Sequence, residues 1–570
     1  MTSFVYDALG RLERRVGPTG ITDTFTYVGL SDLVDTRTDG RGAIFDFTYQ
    51  PTGRLAAVSA VLPAGVGLRQ RTFAYDDVGR LTSAVDSGDA PASALDDVTV
   101  SMAYDSLGNR VGEWNTVLGQ ALGVSNDFDG RSRPSRTDVA GHVVARSFDP
   151  LGRLASLTID GESLPAVRFD YQGLGGPARR QTSSGVVTDF VYDGFGRLEG
   201  QTDTRAGTVL SQWRWEMPVD GVPRIAGLRR SGQTEVVSAF RVDMGGRVLA
   251  EDHGLGAAGG PTLSPASSYA QADAAVAPLI GAGSDDRTYG LDGRHNWRSR
   301  TSSSNIALDL TAVFQADDRW SLLNGNAPVY DERGALLELG DLGFEYDAFG
   351  ELVGVRGASL ERRYRHDALG RRVEEEDVAT GEVTRYGFDG LTRIVRQQPS
   401  GVVDVTIDGD GLDEHLVNVD STGGRYFYYQ ERAGSVYLVT DAAGHPMEWY
   451  QYTAFGELSI LGQDGLPRAT RSLPTDFGFQ GRPQDVVLGL VDLRARHYMP
   501  AWGRFVEPDP IGLAGGVNGY AFVSGAPLRY GDPLGLAQAD IDNECLGPVS
   551  CDGPMFAPGA AYLDNFTEEV

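Results

Sequence analysis

Lysine is absent from this sequence; each of its 50 basic side chains is an arginine. Every side-chain cation is therefore a flat guanidinium, which stacks on tyrosine rings and pairs bidentately with carboxylates, as an ammonium does less well. Cysteine is nearly absent too. Cys545 and Cys551 fall in the last segment, too late to staple the main body, and leave room only for a small local disulfide in an exported tail. No apolar run approaches a membrane-spanning length, and the stretch 486–491 is strand-sized. No signal peptide is read at the start, where residues 1–7 run straight into a repeat, as in a chain that begins partway through a longer array. A formal net charge of -28 argues against wrapping nucleic acid, which needs clustered cations. The seven histidines are scattered without metal-ligand spacing, so they read as structural, and no metal or cofactor is expected. Ser435 lacks the frame of a nucleophile elbow.

What is abundant is glycine (75 residues) with 23 tyrosines and 23 phenylalanines, a composition that suits short strands and tight turns. One phrase recurs: Tyr6-Asp7-Ala8-Leu9-Gly10-Arg11-Leu12 returns from Tyr75, Tyr104, Phe148, Tyr192, Tyr346 and His366, with worn copies at Tyr49, Phe128, Tyr171, Tyr289 and Tyr330. Recurrence every few tens of residues marks a repeat architecture. In each copy the aspartate opens a turn and the glycine three residues later takes positive φ. Flanking segments such as Arg71–Tyr75 alternate with period two, so each unit is a β-hairpin. One hairpin cannot bury its apolar face alone, so the array must curl or stack. Helical periodicity is not found. Residues 254–286 break the rhythm and read as a surface insertion.

Near the end stand two related pentapeptides, Asp509-Pro510-Ile511-Gly512-Leu513 and Asp532-Pro533-Leu534-Gly535-Leu536. Asp-Pro-x-Gly is good turn chemistry in its own right. Two carboxylates held close together would instead share one proton, so that one activates a water while the other protonates a peptide carbonyl. From the residues alone, both readings stand.

With its repeats and the block Phe479-Gln480-Gly481-Arg482, Gly489–Tyr498, Gly503-Arg504-Phe505, Glu507–Leu513, Asn518–Phe522 and Asp532–Leu536, the chain resembles the Rhs, or tyrosine-aspartate (YD) repeat, proteins. Met499 stands where that family often has aspartate, and residues 430–435 differ from its commoner Asp-His-Leu-Gly form. The resemblance implies an all-β fold: antiparallel hairpin repeats in a spiralling, hollow β-sheet shell, complete or partial, ending in a plug. It divides the chain into a shell segment (1–425), an Rhs-associated core (426–536) and a short acidic tail (537–570). Relatives include polymorphic toxins, toxin-complex C subunits and teneurins. In the toxin branch the core frees an enclosed C-terminal effector by self-cleavage, which implies Asp509 and Asp532 as the acid pair, Arg496 as the nearby cation and Leu536–Ala537 as the bond cut.

The function that follows is a shell that encapsulates or presents its own C-terminal segment and releases it as an aspartyl endopeptidase acting only on itself. The alternative is a non-cleaving cell-surface or secreted binding module. Implied partners are the chain's own C-terminal segment, other shell or secretion components, and a cell-surface protein or carbohydrate. Secreted or surface localisation is expected from the family. The tail, with seven acidic residues and no basic one, is too short for a nuclease or deaminase domain and reads as a truncated effector, a vestigial plug or a disordered extension.

Overall fold

The computed structural model describes residues 2–542 except 18–21, 63–68, 88–96, 174, 257–262, 264–265, 284, 359 and 474. Both cysteines and the tail beyond Asp542 lie outside the described residues.

The repeat turn is built as its residues dictate. In the copy at Tyr75, Asp76 Oδ1 accepts the N–H groups of Val78 (3.1 Å) and Arg80 (2.9 Å), and Oδ2 accepts Arg80 Nε at 2.7 Å. The Arg80 backbone bond, with the guanidinium beside it, holds the Asp76 carboxyl below its usual range. Gly79 closes the turn at φ 90°, a conformation that a side chain would resist. The register slips by one residue just before Tyr75, which kinks the strand into the turn.

Arg80 also links one repeat to the next. It stacks 4.7 Å from the Tyr104 ring centroid and donates to Asp105 O at 3.0 Å, while Tyr104 Oη donates to Leu81 O at 2.9 Å. Arg11 with Tyr27, and Arg153 with Tyr171, repeat the arrangement. One guanidinium thus grips its own turn and the neighbouring hairpin together.

The hairpins run in sequence order into two antiparallel strips, of twenty-six strands (Ser3–Tyr6 to Trp320–Leu323) and fifteen (Val329–Tyr330 to Pro467–Arg468) among the described residues. The architecture is all-β, and the sheets do not close into a barrel. Strands such as Ile44–Tyr49 and Arg69–Tyr75 bury one face, while strands such as Val403–Asp408 and Val436–Asp441 are buried on both. The strips pack on each other: Val124, Leu157, Val167 and Val186 of the first share a core with Val395, Val417, Phe427 and Leu438 of the second. Each such side chain contributes about 1.5–3 kcal/mol on burial. Ion networks tie the strips together elsewhere. Buried Arg71 meets Asp86 and, across the gap, Glu351, both at 2.7 Å, and stacks 4.0 Å from Phe349.

Within 254–286 the chain forms an α-helix, Tyr269–Val276, which the sequence pattern had not suggested. Its alanines favour helix, Gln271 Oε1 accepts the Ser268 N–H at 2.9 Å, and Ala272 and Val276 pack on Val237 and Ala239. The strands on either side, Val248–Gly256 and Asp285–Leu291, pair directly with each other. The described residues of 470–536 carry only short strands and 3₁₀ turns around Phe479, Val491, Leu493, Tyr498, Phe505 and Phe522. This block is pinned to both strips, as where Arg504 donates to Asp318 O and Tyr498 to Phe455 O, each at 2.8 Å.

Replacing Arg71 with Met would leave Glu351 buried without its close cation. The substitution is expected to destabilise the contact between the strips by about 3–5 kcal/mol, read as lost hydrogen-exchange protection around the 346–352 turn.

Candidate active site

The structure brings Asp509, Asp532 and Arg496 together, although the two aspartates open separate turns. Arg496 Nη2 lies 3.0 Å from Asp509 Oδ2 and 3.3 Å from Asp532 Oδ2, and each of the three side chains is 3% exposed. The guanidinium rests 3.7 Å from the Phe505 ring centroid. It also donates from Nη1 to Gly519 O (3.1 Å) and from Nε to Gly535 O, so it is fixed to the backbones that follow both aspartates.

Local chemistry sets each carboxylate. The Asp509 N–H donates to Gly519 O at 2.8 Å, and Asp509 Oδ1 accepts from Ile511 N at 3.1 Å. Asp532 Oδ1 accepts the N–H groups of Leu536 (2.9 Å) and Ala537 (3.2 Å), the two residues flanking the expected cleavage point. Gly535 takes φ 69°, and a Cβ there would fall 2.3 Å from Leu493 O and 3.0 Å from Arg496 N, so only glycine lets this turn lie against the arginine strand. Beyond Ala537 the chain turns back, and Ala539–Asp540 pairs with Tyr530–Gly531. Buried Ile541 donates its N–H to Arg529 O at 2.9 Å, and Asp542 is paired with Arg432.

Burial pushes the Asp532 carboxyl above its usual range against the pull of Arg496. Burial likewise lowers Arg496, opposed first by Asp509 and then by Asp532. A guanidinium nonetheless stays charged across ordinary pH. One permanent cation therefore faces two buried carboxylates, of which Asp532 is pushed by burial toward its protonated form.

Three supporting residues were not singled out from sequence. Gly515 is in contact with both sides of the site: a Cβ there would lie 2.1 Å from Asp509 Oδ2 and 2.9 Å from Leu536 O. Arg494, two positions before Arg496, donates to Pro533 O and reaches Leu391 O at 3.3 Å. It is held by Asp413 at 2.8 Å, which also takes Arg482 at 2.9 Å. Burial raises Asp413, but Arg482 and Arg494 together bring it down to about 2. The position of Arg494 in the Leu-Arg-Ala-Arg run was a faint signal; Gly515 and Asp413 had none. Met499 is packed with Leu488 and Leu490 in the core.

A family model described as Teneurin YD-shell matches residues 240–514. The matched stretch is a little under half of the chain, and over it the chain is similar to a YD-repeat shell. Among curated relatives, toxin protein Tse5 of Pseudomonas aeruginosa is 26% identical over 552 residues, covering 85% of this chain and 39% of Tse5. Double-stranded DNA deaminase toxin A of Burkholderia cenocepacia is 28% identical over 276 residues, covering 40% of this chain and 19% of the toxin. The chain therefore spans well under half the length of either relative. The TcdB2-TccC3-Cdc42 crystal structure superimposes with a TM-score of 0.73 at 16% identity over 94% of this chain and 30% of the other. The Tc holotoxin pore of Photorhabdus luminescens gives 0.72 at 16% identity, covering 95% and 30%. At that identity the likeness establishes the fold. No helix among the described residues is long and apolar enough to cross a membrane.

Two outcomes are expected at this site. Gly515→Ala should displace Asp509 and slow any reaction at Leu536 at least tenfold, and should also lower the melting temperature, because the buried Asp509–Arg496 pair and the Leu536 carbonyl must both give way. Asp413, lowered relative to the unfolded chain, should stabilise the fold fully above about pH 4 by about 2 kcal/mol, lost as pH falls toward 2. Acid unfolding followed by tryptophan fluorescence should show this component, and Asp413→Asn should lack it.

Proposed function

We propose that this shell encloses or presents its own C-terminal segment and frees it by hydrolysing the Leu536–Ala537 bond. The observation that carries the reading is that Asp532 accepts the N–H groups on both sides of that bond while sharing one guanidinium nitrogen with Asp509. Gly515 adds that Asp509 Oδ2 and the Leu536 carbonyl oxygen lie around a single point.

The reaction follows from these positions. The pair holds one proton between its carboxyl groups. The ionised carboxylate takes a proton from water as the water oxygen bonds to the Leu536 carbonyl carbon, and the protonated partner donates to the carbonyl oxygen. When the tetrahedral intermediate collapses, the C–N bond breaks, the Ala537 nitrogen receives a proton from the protonated carboxyl, and the ionised carboxylate takes one back from a hydroxyl of the intermediate. Asp532, which lies beside that nitrogen, is the nearer donor once it carries the shared proton. The products are a Leu536 carboxylic acid and an Ala537 amine, which ionise to carboxylate and ammonium, with the dyad left holding its one proton. Arg496 stabilises the carboxylate charge and holds the Gly535 carbonyl beside the bond.

The toxin names of Tse5 and the DNA deaminase toxin support release as the purpose. Enclosure of a toxin by this chain, and a secreted or surface location, belong to this same proposal. If the shell never cuts, it is the binding module that the sequence left as the alternative.

The test is the mass of the 570-residue chain under denaturing conditions, needed because the 539–542 segment is bonded to the body on its own account. Cleavage after Leu536 is expected in wild type and should vanish in Asp532→Asn and Asp509→Asn. The rate should fall toward alkaline pH as the pair loses its shared proton, and toward acid as both carboxyls become protonated. An intact wild-type mass refutes the reading, and cleavage that survives either substitution refutes the dyad.

A further inference from the structure

The turn at Gly478–Arg482 runs beneath the second aspartate motif and contains an unusual residue. Gln480 adopts φ 51°, ψ 32°, and Gly481 follows at φ 71°. A left-handed non-glycine residue is uncommon, and such residues concentrate at functional sites where their surroundings over-determine them. Those surroundings are present. The Gln480 N–H donates to Ser435 Oγ at 3.1 Å, and Gly481 N–H donates to Gly478 O at 3.1 Å. Gly481 O is bonded to His415 Nε2 at 2.7 Å. The ring of His415 stacks on Phe477 at 3.7 Å, and its Nδ1 is bonded to Asp408 at 2.8 Å.

This strained backbone delivers one side chain to the site. Gln480, 8% exposed, accepts the Asp532 N–H on Oε1 at 3.2 Å. A backbone N–H can only donate, so this bond settles which end of the amide is oxygen. Gly531 packs flat on the same amide, where a Cβ would stand 3.2 Å from both Nε2 and Oε1. The buried Nε2 has no hydrogen-bond partner. A residue serving packing alone would more cheaply be apolar or fully bonded, since an unpaired buried donor lowers stability.

We propose that Gln480 is a positioning residue for Asp532: its amide oxygen holds the backbone N–H from which the carboxylate reaches the Leu536 and Ala537 amides. The proposal rests on the self-cleavage reading for its purpose, but the hold itself can be measured without cleavage.

Two substitutions separate positioning from plain structure. Gln480→Asn eases the left-handed backbone, because asparagine tolerates it better, but is too short to keep the bond. It should leave the melting temperature unchanged or higher while slowing cleavage at least tenfold in a time course of newly synthesised protein. Gln480→Glu keeps an acceptor of the same length but sets a negative charge beside Asp532, so it should move the alkaline limb of the pH–rate profile upward. Wild-type rates and pH profiles in both variants would overturn the proposal.

A second arm uses full-length chain carrying Asp509→Asn, which does not cut. There, Gln480→Asn should speed hydrogen exchange of the Asp532 amide at least tenfold, and unchanged exchange would also overturn the proposal. If wild type never cleaves, the function falls on its own, and the exchange arm still decides whether Gln480 holds Asp532.

Discussion

The contact between a guanidinium, an aspartate and the aromatic ring of the next hairpin is the interaction on which the rest of this structure depends. A two-stranded hairpin is marginal in water, and a strip of them gains stability only if each one registers on its neighbour. Arg80 achieves this by holding Asp76 on one side and stacking on Tyr104 on the other. The tyrosine hydroxyl then fixes the strand leaving the first turn. The worn copy at Tyr49 shows what is dispensable. Gln50 replaces the aspartate, yet Gln50 N–H still meets Arg54 O at 2.8 Å and Gly53 keeps φ 83°. The backbone turn survives loss of the carboxylate, and the Arg54 guanidinium still reaches the next hairpin, where it lies against Gly79.

The candidate active site is a variation on that contact. Arg496 stacks on Phe505 as a repeat arginine stacks on tyrosine, and it pairs with an aspartate, but it takes a second aspartate from a distant turn. Full burial completes the change. In the repeats a carboxylate beside one arginine is held firmly ionised, as Asp129, bonded to Arg133, is lowered to about 2. In the core block two carboxylates divide one cation out of water, and Asp532 is raised instead. The same residue types thus serve as a fastener between hairpins and, in the core block, as a buried cluster of two carboxylates on one guanidinium.

Much of this was legible in the sequence because it is local. The Asp-x-x-Gly-Arg turn, the alternation of Arg71–Tyr75 and the hairpin order follow from neighbours a few residues apart. The pairing of Asp509 with Asp532 came from resemblance; their spacing alone would equally have suited two independent turns. What escaped is long-range. Nothing near Arg71 announces Glu351, and nothing near Asp413 announces Arg494. Gln480 stood in a recognised motif, but its φ and its bond to Asp532 appear only once residues far apart in the chain meet. The helix Tyr269–Val276 was hidden by its brevity, since two buried residues make no period.

The missing lysine has a chemical consequence for these joints. Acetylation and ubiquitination act on lysine side-chain amines, and no interlock between the strands contains one. Enzymes that write on lysine thus have no side-chain foothold on this strip. Alkali does not neutralise the guanidinium either, whereas acid can still reach the aspartate half of each contact. The fasteners of the shell are therefore shielded from one large class of cellular marking, and open to weakening chiefly from the proton side.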